Sequence, residues 1–253
     1  MNELNALKQQ LLVLRGRSAA LHQTFGDVPE WSAIECLAVQ TWKRADRLAA
    51  GLSVLVGLGI IDGGSALSRM LWEDLVTLEY VARRPETRLE QLLADAIDRQ
   101  RQFNASRWTI EKLGREVAPV GIEILKRREA IGKQRNAERK AAKERGEAFP
   151  PWTPDEEACL PTVFQRAKEV AADDQCEVVY RTESGSVHFG WAALEDQADG
   201  GYQRIVQVLT LGVAAYWMLL AMILDILGLH EAAAALRDDR RAWQEMRTTI
   251  PST

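Results

Sequence analysis

The chain of 253 residues has little of what most often announces a function. Its three cysteines, Cys36, Cys159 and Cys176, are an odd number without metal-ligand spacing. That excludes a disulfide framework and a cysteine-based zinc site, and a reducing cytoplasm is the expected setting. Three histidines are too few for a His-rich metal centre. No metal and no cofactor is expected. There is no glycine-rich phosphate loop, no internal repeat and no low-complexity tract. Lys8, Arg15 and Glu3 interrupt the leucines of the opening stretch, so no secretory signal is expected there. With 47% hydrophobic and 27% charged residues and a net charge of −4, the composition is that of a globular protein. A disordered chain would lack the apolar residues to offset its ordering entropy.

Only eight prolines and few β-branched runs are present, and the apolar residues recur at three- and four-residue steps. An all-α multi-helix bundle is expected, a single domain over 1–253 with 126–150 as a protruding basic helical arm. Helices are expected over 3–24, from Pro29 towards Ile61, over 65–84 up to Pro85, over 86–107, and on to Glu147 with a restart at Pro119. Gly51, Gly57 and Gly59 would allow close helix approach. Asp62-Gly63-Gly64-Ser65 reads as a break or a re-capped turn. Thr153-Pro154-Asp155-Glu156 carries N-cap signals for a helix bending at Pro161. Some strand character marks 177–180 within an otherwise helical 177–189, and 190–201 reads as a loop. A long apolar helix over 203–227 is expected to end at Gly228, before a polar closing helix.

Residues 208–224 form an apolar run broken only by Thr210. Spanning a bilayer takes ~20 apolar residues, so this run is short for the purpose. The central helix of a bundle, apolar all round because it is surrounded, explains it better than a dimer interface or a membrane span.

Residues 126–147 hold nine Lys or Arg against four Glu, a net of +5, which leaves −9 for the remainder. Lys133, Arg135, Arg139 and Lys140 could contact phosphates, a charge-driven interaction that ignores base sequence. Glu129, Glu138 and Glu144 stand at spacings that equally fit surface pairs on a solvated helix.

Two polar sets remain. On the 65–84 helix, Arg69, Glu73 and Tyr80 oppose a stripe of Leu67, Leu71, Leu75, Leu78 and Ala82. Later, Tyr180, Arg181, Ser184 and His188 share one face if 180–188 is helical. Imidazole titrates near neutrality and can move a proton to or from a ribose hydroxyl. The guanidinium can hold a phosphate and offset transition-state charge. One His and one Arg therefore suffice for RNA cleavage without metal. A buried hydrogen-bonded network is the alternative role for the same residues.

The Arg69-x3-Glu73 and Tyr80 set with Tyr180-x3-Ser184-x3-His188 resembles a bacterial family of helical proteins similar in motif logic to the HEPN superfamily. The resemblance covers about 65–190. Arg181-x6-His188 fits the upper limit of that superfamily's Arg-x(4–6)-His signature, with Thr182 where Asn, Asp or His is usual and Gly185 inside the motif. It implies a helical, dimeric, metal-independent endoribonuclease of a toxin or antiphage system. Arg181 and His188 would be catalytic, with Arg69, Glu73, Tyr80, Tyr180 and Ser184 orienting them. RNA, a second copy of the chain and a cognate antitoxin or defence protein are the implied partners. Such superfamilies also contain non-catalytic scaffolds that bind protein or nucleic acid.

Overall fold

A computed structural model describes residues 3–24, 30–105, 119–148, 157, 159–172, 174, 175, 177, 179 and 201–248. The protein is an all-α multi-helix bundle, and among the described residues there is no strand. Eight helices follow in order among those residues: α1 (Glu3–Thr24), α2 (Ala33–Gly57), α3 (Ile61–Arg83), α4 (Pro85–Ala105), α5 (Pro119–Glu144), α6 (Val163–Glu169), α7 (Gly201–Ile226) and α8 (His230–Thr248). The chain divides into two compact units, residues 1–79 with 172–253, and residues 80–171.

In the first unit α7 is the central helix. Val208, Leu209, Val213, Tyr216, Trp217, Leu220 and Leu224 are all buried. By length and composition α7 could cross a membrane, but 61% of its most apolar window is buried inside the protein. Its neighbours α1, α2 and α8 supply Leu7, Leu11, Leu14, Trp42, Leu52 and Leu236 to the same core. Each fully buried leucine contributes about 1.5–3 kcal/mol, so the apolar periodicity is itself the main cause of the fold. Helix approach is close at Gly212, where a Cβ would meet the Leu52 side chain and lie 2.6 Å from Ser68 Oγ. Ser68 uses that proximity to donate to the Val208 carbonyl at 2.9 Å.

The expected break at 62–65 lies elsewhere. The turn is at 58–60, and Gly63 and Gly64 fall in the first turn of α3. Gly59 takes φ +72°, its N–H reaching Val56 O and the Ile60 N–H reaching Leu55 O, which closes α2 in a Schellman motif. Gly59 thus serves chain reversal and not helix approach, because a Cβ there would meet nothing.

The second unit is built on α4 and α5. Ala94 and Ile97 of α4 pack with Leu125 of α5, covered by Ile124 and Cys159. Arg128 is also buried and donates to the Glu157 carbonyl. The basic helix is therefore anchored by its first half, while most of 131–148 is exposed. Residues 157, 159 and 160 are not helical, so no helix runs on into Pro161. Helix resumes at α6, where Thr162 and Gln165 form a capping box, with the Gln165 N–H donating to Thr162 Oγ1 at 3.3 Å. Residues 177 and 179 are helical, against the strand character of their side chains. The start signal at 153–156 and the segment 180–200 lie outside the described residues.

Candidate functional site

Asp46 of α2 is the meeting point of three helices in the first unit. Its Oδ1 accepts from Ser18 Oγ of α1 at 2.7 Å and from the Tyr216 hydroxyl of α7. Its Oδ2 stands 3.0 Å from His22 Nε2. Ser18 Oγ in turn accepts from Trp42 Nε1 at 2.7 Å, and the His22 ring stacks on Trp42 with centroids 4.0 Å apart. Helical spacing explains the arrangement. Ser18 and His22 are four apart on α1, Trp42 and Asp46 are four apart on α2, and each pair shares a face.

This constellation has the residue types of a catalytic triad but the wrong wiring. Ser18 gives its proton to a carboxylate instead of an imidazole, so it lacks the base that would activate it. Ser18, Trp42 and Tyr216 are buried, whereas the His22 and Asp46 side chains are 29% and 28% exposed. Burial, and then the Asp46 carboxylate, push the Tyr216 hydroxyl well above its ordinary range, which keeps it a hydrogen-bond donor. The cluster ties α1, α2 and α7 together and presents one imidazole edge to solvent.

Arg69 and Glu73 form a half-buried i,i+4 pair on α3, Nε to Oε1 at 2.9 Å. Tyr80 does not share their half-exposed setting. It is fully buried in the second unit, its hydroxyl donating to Gln91 Oε1 at 2.9 Å. Arg88 lies over its ring, donates to the Tyr80 carbonyl at 2.8 Å, and pairs with Glu169 at 2.7 Å. Tyr180, Arg181, Ser184 and His188 lie outside the described residues.

On α5, Lys133, Arg139 and Lys140 are exposed, while Arg135 is less so and stands 3.5 Å from Glu138. Lys140 reaches Glu144 only at 4.0 Å, with its side chain 80% exposed. Such pairs contribute little, and they leave the charges accessible to an anionic partner.

Among the described residues no group of three His, Cys, Asp or Glu side chains could hold a metal. Burial, followed by Asp95, Asp98 and Glu129, pushes the Cys159 thiol up to about 11, which disfavours a reactive thiolate.

The Asp46 centre is not among the sites expected from the sequence. A signal exists in Ser18-x3-His22 and Trp42-x3-Asp46, two polar i,i+4 pairs on amphipathic helices. The Tyr216 hydroxyl is hidden within a run that reads as apolar.

The model of a family of unknown function, DUF5677, matches residues 35–201. No curated protein and no solved structure matches the chain. The matched stretch includes Asp46, Arg69, Glu73, Tyr80, the basic helix and 180–188, but not Ser18, His22 or Tyr216.

Proposed function

The chain belongs to the DUF5677 family, and within that family we propose that it is a HEPN-like, metal-independent endoribonuclease of a toxin or antiphage system. The observation that carries this reading is Arg181-x6-His188, inside the matched stretch of an all-helical protein. His188 takes the proton of a ribose 2′-hydroxyl, whose oxygen attacks the adjacent phosphorus. The 5′-oxygen leaves with a proton, and a 2′,3′-cyclic phosphate remains. Arg181 binds the phosphate and offsets the charge of the transition state. Arg69, Glu73, Tyr80, Tyr180 and Ser184 are the proposed positioning residues. Exposed Lys133, Arg139 and Lys140, with Arg135, supply affinity for RNA.

The proposed setting is cytoplasmic, with a second copy of the chain and a cognate antitoxin or defence protein as partners. Exposed Val54, Leu58 and Ile60 around the end of α2, the last two 70% and 46% accessible, are apolar surface that a homodimer would cover. A sedimentation mass that stays at one chain across micromolar concentrations counts against the dimer.

The direct test is cleavage of labelled single-stranded and hairpin RNA in the presence of EDTA. Products ending in a 2′,3′-cyclic phosphate are expected. No cleavage of any RNA by folded wild-type protein overturns the reading.

A specific observation favours a second reading, a non-catalytic helical scaffold. Tyr80, one of the proposed positioning residues, is buried and hydrogen-bonded to Gln91, as a structural residue would be. On that reading wild type is inactive, and substitutions at 181 and 188 lower stability.

A further inference from the structure

Within the second unit, the face of α5 turned away from α4 carries one row in which cations alternate with small side chains. Lys126, Ala130, Lys133, Ala137 and Lys140 are all exposed, whereas Gly121, Leu125 and Arg128 on the other side are buried. Steps of four and three keep the five residues on one stripe. A seven-residue spacing drifts by only ~20° per heptad, so the three lysines stand almost in line. At about 1.5 Å per residue they lie roughly 10 Å apart, over about 21 Å of helix. That spacing exceeds the Debye length of about 8 Å, so the lysines repel one another little.

The basic residues of α5 divide by role. Arg127 is held by Glu90 of α4, Arg128 by the Glu157 carbonyl and Arg135 by Glu138. The lysines of the row are exposed instead, and Lys140 meets Glu144 only at 4.0 Å. From Thr109 to Ala148 the chain has no aromatic residue. Proteins that hold single strands stack the bases on aromatic side chains, which contributes about 1–3 kcal/mol per base. The helix has no such platform, so what it offers a nucleic acid is positive charge for the backbone.

We infer that the row of Lys126, Lys133 and Lys140 grips double-helical RNA through its phosphates, irrespective of base sequence. This deepens the RNA reading above and rests on the RNA affinity given there to α5. A duplex carries about twice the charge per length of either strand. Each neutralised phosphate also releases more counterion, ~0.9 for a DNA duplex against ~0.7 for a single strand. A stiff row matches a stiff duplex, whereas a single strand has to be ordered on it at an entropic cost. Ammonium groups act as point charges, which suits phosphate oxygens in any orientation, and the alanines between them let a backbone come close. An anionic membrane fits less well, because the apolar side of α5 is packed on α4 and cannot enter lipid.

The test uses the full chain and 2′-O-methyl RNA, which lacks the attacking hydroxyl and so stays intact. A duplex of about two helical turns, its separated strands, a duplex of scrambled sequence and phosphatidylserine vesicles are compared over a salt series. Wild type should bind both duplexes alike, and at least ~10-fold more tightly than either strand or the vesicles. Replacing Lys126, Lys133 and Lys140 together by Gln, with an unchanged melt, should bring the duplexes down to the level of the strands. The salt slope should fall by ~2–3 in the same variant. Strands bound as tightly as the duplex overturn this inference and leave the role of α5 in RNA affinity standing. Binding of none of the RNAs overturns both. Tighter binding to the vesicles overturns it in favour of a lipid surface, and a duplex preference that survives in the folded triple variant removes the row from the site. The comparison of strand with duplex in wild type decides the matter even where the triple variant fails to fold. Cleavage is measured separately on unmodified RNA, and none of the residues proposed for it lies in the row.

Discussion

Arg88 lies over Tyr80, its guanidinium carbon 3.9 Å from the ring centroid, while it donates to the same residue's carbonyl at 2.8 Å. The two residues flank the junction of α3 and α4, where Pro85 takes the first helical position. Arg88 is fully buried, and Glu169 balances its charge. Arg88→Met should therefore cost roughly 2–4 kcal/mol, because the Glu169 carboxylate and the Tyr80 carbonyl both lose a charged donor. Tyr80→Phe keeps the ring beneath the guanidinium and loses the bond to Gln91, a cost of about 1 kcal/mol. Urea unfolding of both variants measures these values, and equal losses would contradict the larger role given to Arg88.

The Asp46 centre makes a prediction about stability instead of catalysis. Tyr216→Phe should cost about 1.5–3 kcal/mol, as for a hydrogen bond to a charged group. Asp46→Ala should cost more, since Ser18 and Tyr216 both lose their acceptor. If instead Asp46→Ala melted like wild type but lost RNA cleavage, the cluster would have to be reassigned as a reacting centre.

Asp74 carries a pH signature. Burial raises its pKa, and the hydrogen bond from Arg44 Nε at 2.7 Å offsets this only in part. A carboxyl with a raised folded-state pKa binds its proton more tightly when folded. Its contribution to stability is therefore fully present below the unfolded value and is lost as pH rises through the folded value. Asp74→Asn should flatten the pH dependence of the melting temperature just above the ordinary carboxylate range and stabilise the protein slightly at neutral pH. A melting curve whose pH dependence is the same in wild type and Asp74→Asn would rule this out.

For the proposed nuclease, His188→Ala and Arg181→Ala should each reduce cleavage by ~100- to 10,000-fold while leaving the melt unchanged. The double variant should be scarcely worse than either single one, because groups that act as a unit are not additive. Active protein with a strictly additive double variant would separate the two residues into independent roles.

The basic helix predicts a salt effect. Replacing Lys133, Arg135, Arg139 and Lys140 by Gln should weaken RNA binding and flatten its dependence on salt. The slope should fall by ~0.7 for each single-strand phosphate that the variant no longer neutralises. Filter binding across a salt series gives the slope directly. An unaltered slope would leave α5 as a solvated helix packed on α4.

Most of the long helices were legible in the sequence. The leucine spacing of 3–24 is α1 to the residue, Pro85 and Pro119 each open a helix, and the apolar run of 208–224 is the buried α7. These features are local, because backbone geometry repeats every 3.6 residues and the apolar pattern repeats with it. What the sequence misplaced was decided by packing. Gly63-Gly64 looks like a turn, yet a Cβ on Gly64 would meet Val56 at 3.3 Å and Val208 at 3.4 Å, so the glycine serves the approach of α2 and α7 to α3. A glycine in a helix costs about 1 kcal/mol, less than burial of the facing side chains contributes. The Asp46 centre was illegible for a related reason. An amphipathic helix can bury its apolar face against many partners, and the pattern does not say which. Only when α1, α2 and α7 come together do Ser18, His22, Asp46 and Tyr216 acquire one another as hydrogen-bond partners.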